Sequence, residues 1–202
     1  MNQWATVAKN LQGLYYCVLL GVCAALLAWF IPGPAGYLAM AAGLGVFLTQ
    51  LACVVQGPPE MGGRPQLTLY VLLAVVGQLL SMMYSYKLKH DFSFIMSSGG
   101  ALMGGLVSLV GLGASLISLL GLANMSDGLG RSDIGGQFMT LIWLVVGGFL
   151  VAVVAAKVMP ILLLAGIVAV PLFAILFVVI YSRAIRALSE AALNQSNVGR
   201  EL

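Results

Sequence analysis

Charge is what this chain has least of: 7% of its 202 residues are Asp, Glu, Lys or Arg and 61% are apolar, where soluble domains run near ~25% and ~45–50%. Nine basic and six acidic side chains cannot give a wettable surface to a chain of 21.1 kDa. Most side chains must therefore face lipid or one another, which excludes a soluble domain. The cations are spread along the whole length and sum to a net charge of only +3, without the basic patch that nucleic acid requires, so no nucleic-acid partner is expected. Cysteine is also scarce. Cys17, Cys23 and Cys53 lie in apolar runs, and an odd count without a CxxC pair argues against a disulfide framework or a structural zinc. No metal or other cofactor is expected.

A second absence lies inside the apolar runs. Glu60, Asp91, Asp127, Asp133, Glu190 and Glu201 all fall in loops or tails, whereas proton relays and cation sites are usually built from carboxylates at membrane depth. Proton-coupled transport and aspartyl intramembrane proteolysis are both disfavoured. Lys157 sits at a hairpin and Arg183 at a span end, where long side chains reach the interface, so voltage sensing has no residues to use. The segment Gly113-Ala-Ser-Leu116 invites comparison with the Gly-x-Ser-Gly nucleophile motif of rhomboid intramembrane proteases, but its fourth position departs from it. The lone His90 precedes the fourth apolar run instead of lying in the sixth, so no serine–base pair is available and no catalytic residue is assigned.

What remains is a set of long uncharged runs. A hydrocarbon core of about 30 Å needs roughly 20 apolar residues in helical form, and six runs of that order lie at 14–31, 35–55, 67–86, 101–122, 136–156 and 160–182. The fold class expected is an all-α polytopic transmembrane bundle, one domain over 1–202 with a tail from 183 to 202. Ile31-Pro-Gly-Pro-Ala35 breaks the first two runs into a tight hairpin. Ala156-Lys-Val-Met-Pro160 breaks the last two, and the count falls to five if that break is no hairpin. The connections 56–66, 87–93 and 123–135 read as loops, with Asp133 capping the following helix and Lys87-Leu-Lys-His-Asp91 a solvated charge cluster. Pro171 should kink the sixth helix, and the tail should leave the membrane as a short helical stub that frays.

With six spans, Lys9, Arg64, Arg131, Arg183, Arg186 and Arg200 fall on one side and Lys87, Lys89 and Lys157 on the other. That bias predicts an integral protein, assigned to the plasma (inner) membrane, with both termini in the cytoplasm. Along the fourth helix Gly100, Gly104, Ser108, Gly111, Ser115 and Ser118 recur at spacings of three and four, the pattern that lets helix backbones approach closely in lipid, and this stripe is expected to be a buried helix contact. Gln50 and Gln78 are the most polar positions at depth. Each amide is expected to bond across helices or to line a cavity for a neutral ligand. Beyond the bilayer itself, the expected partners are other membrane subunits or a second copy. The function expected is that of a structural or accessory membrane subunit acting through helix contacts, the alternative being a carrier or channel for a neutral or lipidic solute.

Overall fold

In hydrocarbon every backbone N–H and C=O must find its partner inside the protein, and a single uncharged run can do so only as a helix. The computed structural model describes residues 3–27, 31–91, 93–94, 97–158 and 162–201, and among them there is no strand. Six helices follow one another: α1 (Gln3–Leu27), α2 (Pro32–Gln56), α3 (Arg64–His90), α4 (Ser98–Gly128), α5 (Ser132–Val158) and α6 (Leu162–Glu201). All six contain stretches long and apolar enough to cross a membrane. Each expected span falls within one helix, save that Ile31, expected at the end of the first, stands outside α1 as the N-cap of α2, and that 28–30, and Met159, Pro160 and 161 at the second hairpin, lie outside the described residues.

Local chemistry sets the helix starts. Pro32 and Pro34 occupy the first turn of α2, where a missing amide donor costs nothing, so α2 begins three residues before the expected boundary at 35. Before α3, Gly63 takes φ +78°, a conformation only glycine adopts cheaply, and Pro65 follows in the first turn. Ser97 accepts the Gly100 N–H at 3.0 Å and caps α4.

Five expectations are corrected. The connection read as 123–135 shrinks to residues 129–131, because α4 continues to Gly128 and buries Ala123, Met125 and Ser126 against its neighbours. Asp133 lies within the first turn of α5 and holds the Arg131 guanidinium at 2.9 and 3.0 Å. This hydrogen bond and charge raise the Arg131 pKa above its ordinary value. The Lys87–Asp91 cluster is not a loop either. Lys87, Lys89 and His90 form the last turn of α3, at the negative end of its dipole, with the His90 ring 4.4 Å from Tyr86. The tail is docked. Helix α6 continues through Pro171 to Glu201, a length of roughly 60 Å at 1.5 Å per residue. Its final turns bury Leu188, Ala191, Ala192 and Ser196. Helix α1 starts at Gln3, eleven residues before the expected boundary at 14, and offers Val7, Ala8 and Leu11 as a matching stripe.

The helices touch mainly in a closed order, α1 to α6 in sequence and α6 back to α1, and of these neighbours α2 and α3 touch least. Ala8 and Tyr15 of α1 bond Ser189 and Arg186 of α6, so the two run antiparallel and the start of α1 and the last turns of α6 share one end, the terminal end. The core gathers at this terminal end. Leu11, Cys53, Leu67, Met125, Phe138 and Leu188, one from each helix in turn, belong to one cluster. Toward the opposite end burial thins out: α3 has no buried side chain beyond Tyr70.

Candidate functional site

The helix contacts that close the fold are made by small residues, and most of them are not in the stripe singled out in α4. A Cβ added to Gly45 of α2 would reach Cys17 Sγ of α1 at 2.5 Å. One at Gly13 would stand 3.2 Å from Thr49 Cγ2, and one at Gly21 3.5 Å from the Ala42 Cβ. Gly13, Cys17 and Gly21 recur every fourth residue and face Ala42, Gly45 and Thr49, so α1 and α2 meet along a small-residue seam that uses the same physics expected of α4. The signal was present in the sequence, with Cys and Thr standing where a scan for glycine and serine passes over them.

A second close junction joins the 57–63 segment to the end of α4. A Cβ on Gly63 would fall on the Gly121 carbonyl, and one on Gly62 on the Asn124 carbonyl. One on Gly121 would meet Leu67 Cγ at 2.9 Å, and one on Gly128 the Gly62 Cα at 3.2 Å. Gly57, Pro58, Met61 and Gly63 are buried, so a segment read only as a Pro/Gly-rich loop is a fixed part of the terminal end.

The α4 stripe divides. Its two ends are covered and its middle is not. Gly100 is buried, Gly104 lies where a Cβ would be 3.3 Å from the Tyr84 hydroxyl, and Ser118 is 8% exposed. Ser108, Gly111 and Ser115 are exposed, and nothing lies within 4 Å of where a Cβ on Gly111 would point. The single buried contact surface expected of this stripe is thus not formed within the chain. The Ser108 and Ser115 hydroxyls instead donate to the Gly104 and Gly111 carbonyls of their own helix, at 3.0 and 2.9 Å.

The two amides also part company. Gln50 is 2% exposed and donates from Nε2 to Ser118 Oγ at 2.6 Å, a bond between α2 and α4. Its Oε1 is buried without a partner. Gln78 is exposed on α3, and among the described residues it makes no cross-helix bond of the kind expected of it.

These positions share one geometry. Residues 104, 108, 111, 115 and 118 are spaced four, three, four and three apart and so lie on one face of α4. That face is covered at Ser118 by Gln50 and exposed at Ser115, Gly111 and Ser108. Gly43, two turns from Gln50 toward the opposite end, meets nothing within 4 Å, nor do Gly105 and Gly113 of α4. The Gln50–Ser118 bond therefore marks the place where the packed half of the bundle gives way to an open one.

No charged side chain belongs to this stripe, and among the described residues no three His, Cys, Asp or Glu side chains converge as a metal would need. The arrangement has no nucleophile–base pair; what it offers is an uncovered small-residue surface with hydrogen-bonding atoms at its edge. The chain matches no family model, no curated protein and no solved structure.

Proposed function

We propose that this chain is an integral membrane protein serving as a structural or accessory subunit, which receives a transmembrane helix of another membrane protein along the uncovered face of α4. Six apolar helices are compatible with such a protein. The observation that carries the reading is the α4 face itself, buried at Ser118 and bare from Ser115 to Ser108. Lipid tails are as apolar as leucine, so helices associate there by close backbone approach and interhelical hydrogen bonds, which a face of glycine and serine suits. Gln78 adds a second argument. An exposed amide in the middle of α3 favours a partner that can bond to it, a contact worth about 1–2 kcal/mol or less in lipid.

Placement in the plasma or inner membrane with cytoplasmic termini rests on the charges. Lys9, Arg64, Arg131, Arg183 and Arg186 gather toward the terminal end, against Lys87 and Lys89 at the opposite one. Reporter fusions at Met1 and Leu202 should both read cytoplasmic, and opposite readings would remove a span from this account.

The test of the subunit role is purification of the tagged chain from its native membranes in mild detergent. A membrane protein should co-purify in fixed proportion and be lost on Gly111→Leu and on Gln78→Leu but kept on Leu72→Ile. Recovery of the wild-type chain alone, with no second protein in any detergent that keeps it folded, refutes the reading. The orphaned Gln50 Oε1 favours one alternative, a site for a neutral or lipidic solute between α2 and α4. A retained lipid lost on Gln50→Leu, without any protein partner, would put that alternative in its place.

A further inference from the structure

We propose that the cleft between the first half of α1 and the last half of α6 binds an anionic phospholipid, its phosphate held by Arg186. The cleft encloses about 280 Å³ and is lined by Gln12, Tyr15 and Tyr16 of α1 and by Ile185, Arg186 and Ser189 of α6. The Arg186 guanidinium stands 5.0 Å above the Tyr15 ring, and its Nη2 donates to the Tyr15 hydroxyl at 3.0 Å. That pairing orients the planar group while using one of its five N–H donors, and the fork geometry suits two oxygens of a phosphodiester. Among the described residues Arg186 forms no ion pair, Glu190 one turn further along α6 included. The cation is exposed and free to take an anion from outside the chain.

The face of α1 that borders the cleft has the profile of a phospholipid. Lys9, Gln12, Tyr16, Leu20, Cys23 and Leu27 recur at spacings of three and four, and all six are exposed. The cation and the amide come first, where a headgroup would lie. The tyrosine follows at the level where an amphipathic ring prefers to sit. From Tyr16 to Leu27 the face is apolar over eleven residues, roughly 16 Å at 1.5 Å per residue. A free phosphate would use only the first part of this face; a phospholipid uses all of it.

The test reconstitutes the full chain into nanodiscs of phosphatidylcholine and phosphatidylglycerol, then measures the phosphatidylglycerol retained on extraction. The wild-type chain should retain phosphatidylglycerol in preference to phosphatidylcholine. Arg186→Gln should cut that preference about five-fold, the equivalent of about 1 kcal/mol for one cation at an anionic lipid surface. Arg183→Gln, an exposed cation three residues earlier and outside the cleft, should cut it less than about two-fold. Equal losses from the two substitutions would mean a diffuse basic rim and overturn the proposal. If Arg186→Gln does not fold, the readout passes to Gln12→Leu and Lys9→Gln, exposed side chains whose combined replacement should lower retention and whose silence would count against the site equally. Inorganic phosphate at matched ionic strength should not displace the lipid; displacement would reassign the cleft to a free anion.

Discussion

At the terminal end Phe138, Met125, Leu122 and Leu188 are all but inaccessible, whereas toward the opposite end Leu72, Leu109 and Met82 keep 59%, 56% and 60% of their surface open. The residue types are alike, so composition does not explain the difference. Water does. At 1.5 Å per residue α6 measures about twice the hydrocarbon thickness, and α1 starts eleven residues before its expected span, so in the proposed membrane placement part of the terminal end projects into water. There the burial of Val7, Ala8 and Leu11 against the last turns of α6 is driven by the hydrophobic effect. Within hydrocarbon that drive is absent, and helices hold together where small residues meet, as along the α1–α2 seam, or where hydrogen bonds cross between them. The open half lacks both devices between α2 and α4.

The largest expected effect breaks the packed half. Phe138 is fully buried with its ring 6.3 Å from that of Tyr181. Phe138→Ala should destabilise the chain by about 3–5 kcal/mol through lost contacts and a cavity, while Leu109→Ala should stay within about 0.5 kcal/mol. Thermal or denaturant unfolding in one detergent decides between them; equal costs would mean that the two halves do not differ in packing.

Next comes a matched pair of glycines. Gly63 and Gly130 both hold positive φ, +78° and +71°. Gly130→Ala should cost only the left-handed penalty of about 1–2 kcal/mol, since nothing lies near its Cβ. Gly63→Ala adds an overlap with the Gly121 carbonyl and should cost clearly more. Similar losses in melting temperature would show that the 57–63 segment does not press on α4.

Much of the fold was legible because six uncharged runs leave a chain few alternatives, and each span lies where a run does. What escaped was everything set by a partner helix. Nothing near Leu188 or Ala192 reveals that α1 reaches down to meet them. Met125 and Ser126 look like loop residues until Gly62 is seen against that turn. For the candidate site, the spacing of the α4 stripe identified a face, but spacing alone cannot say whether another helix of the same chain covers it. Gln50 and Gln78 are the sharpest case. Both are amides within apolar runs, but Gln50 is covered by Ser118 of α4 whereas the side of α3 that carries Gln78 is left open.

A smaller effect probes the boundary between the halves. Ser118→Ala removes the one partner of the Gln50 amide and leaves both of its polar ends buried and unpaired, at a cost of about 1–2 kcal/mol. Gln50→Leu removes the amide and its orphaned Oε1 together, so it should cost less. The asymmetry is the prediction, read from the two melting temperatures. A larger loss for Gln50→Leu would mean that Oε1 has a partner, a bound water or a ligand, and that the boundary is wetter than drawn.

The smallest effect is expected in the open half. In an isolated chain Gly111→Leu should leave stability within about 0.5 kcal/mol, because its side chain enters open space and lipid or detergent adapts to it. Gly45→Leu is the counterpart in the α1–α2 seam, where a first carbon would already stand 2.5 Å from Cys17 Sγ and the rest of a leucine must force the helices apart. Both substitutions put the same side chain into a glycine position of a small-residue helix face, so propensity and size cancel and only the neighbour differs. If both melt like the wild type, the seam is loose and the contrast between the halves is one of exposure alone. If both are damaging, the α4 face is already occupied, and a second copy of the chain in the detergent complex becomes the first occupant to look for. A silent Gly111→Leu that nevertheless releases a co-purifying protein would tie the uncovered face to a partner, because the substitution leaves the chain folded and removes only what docks on it.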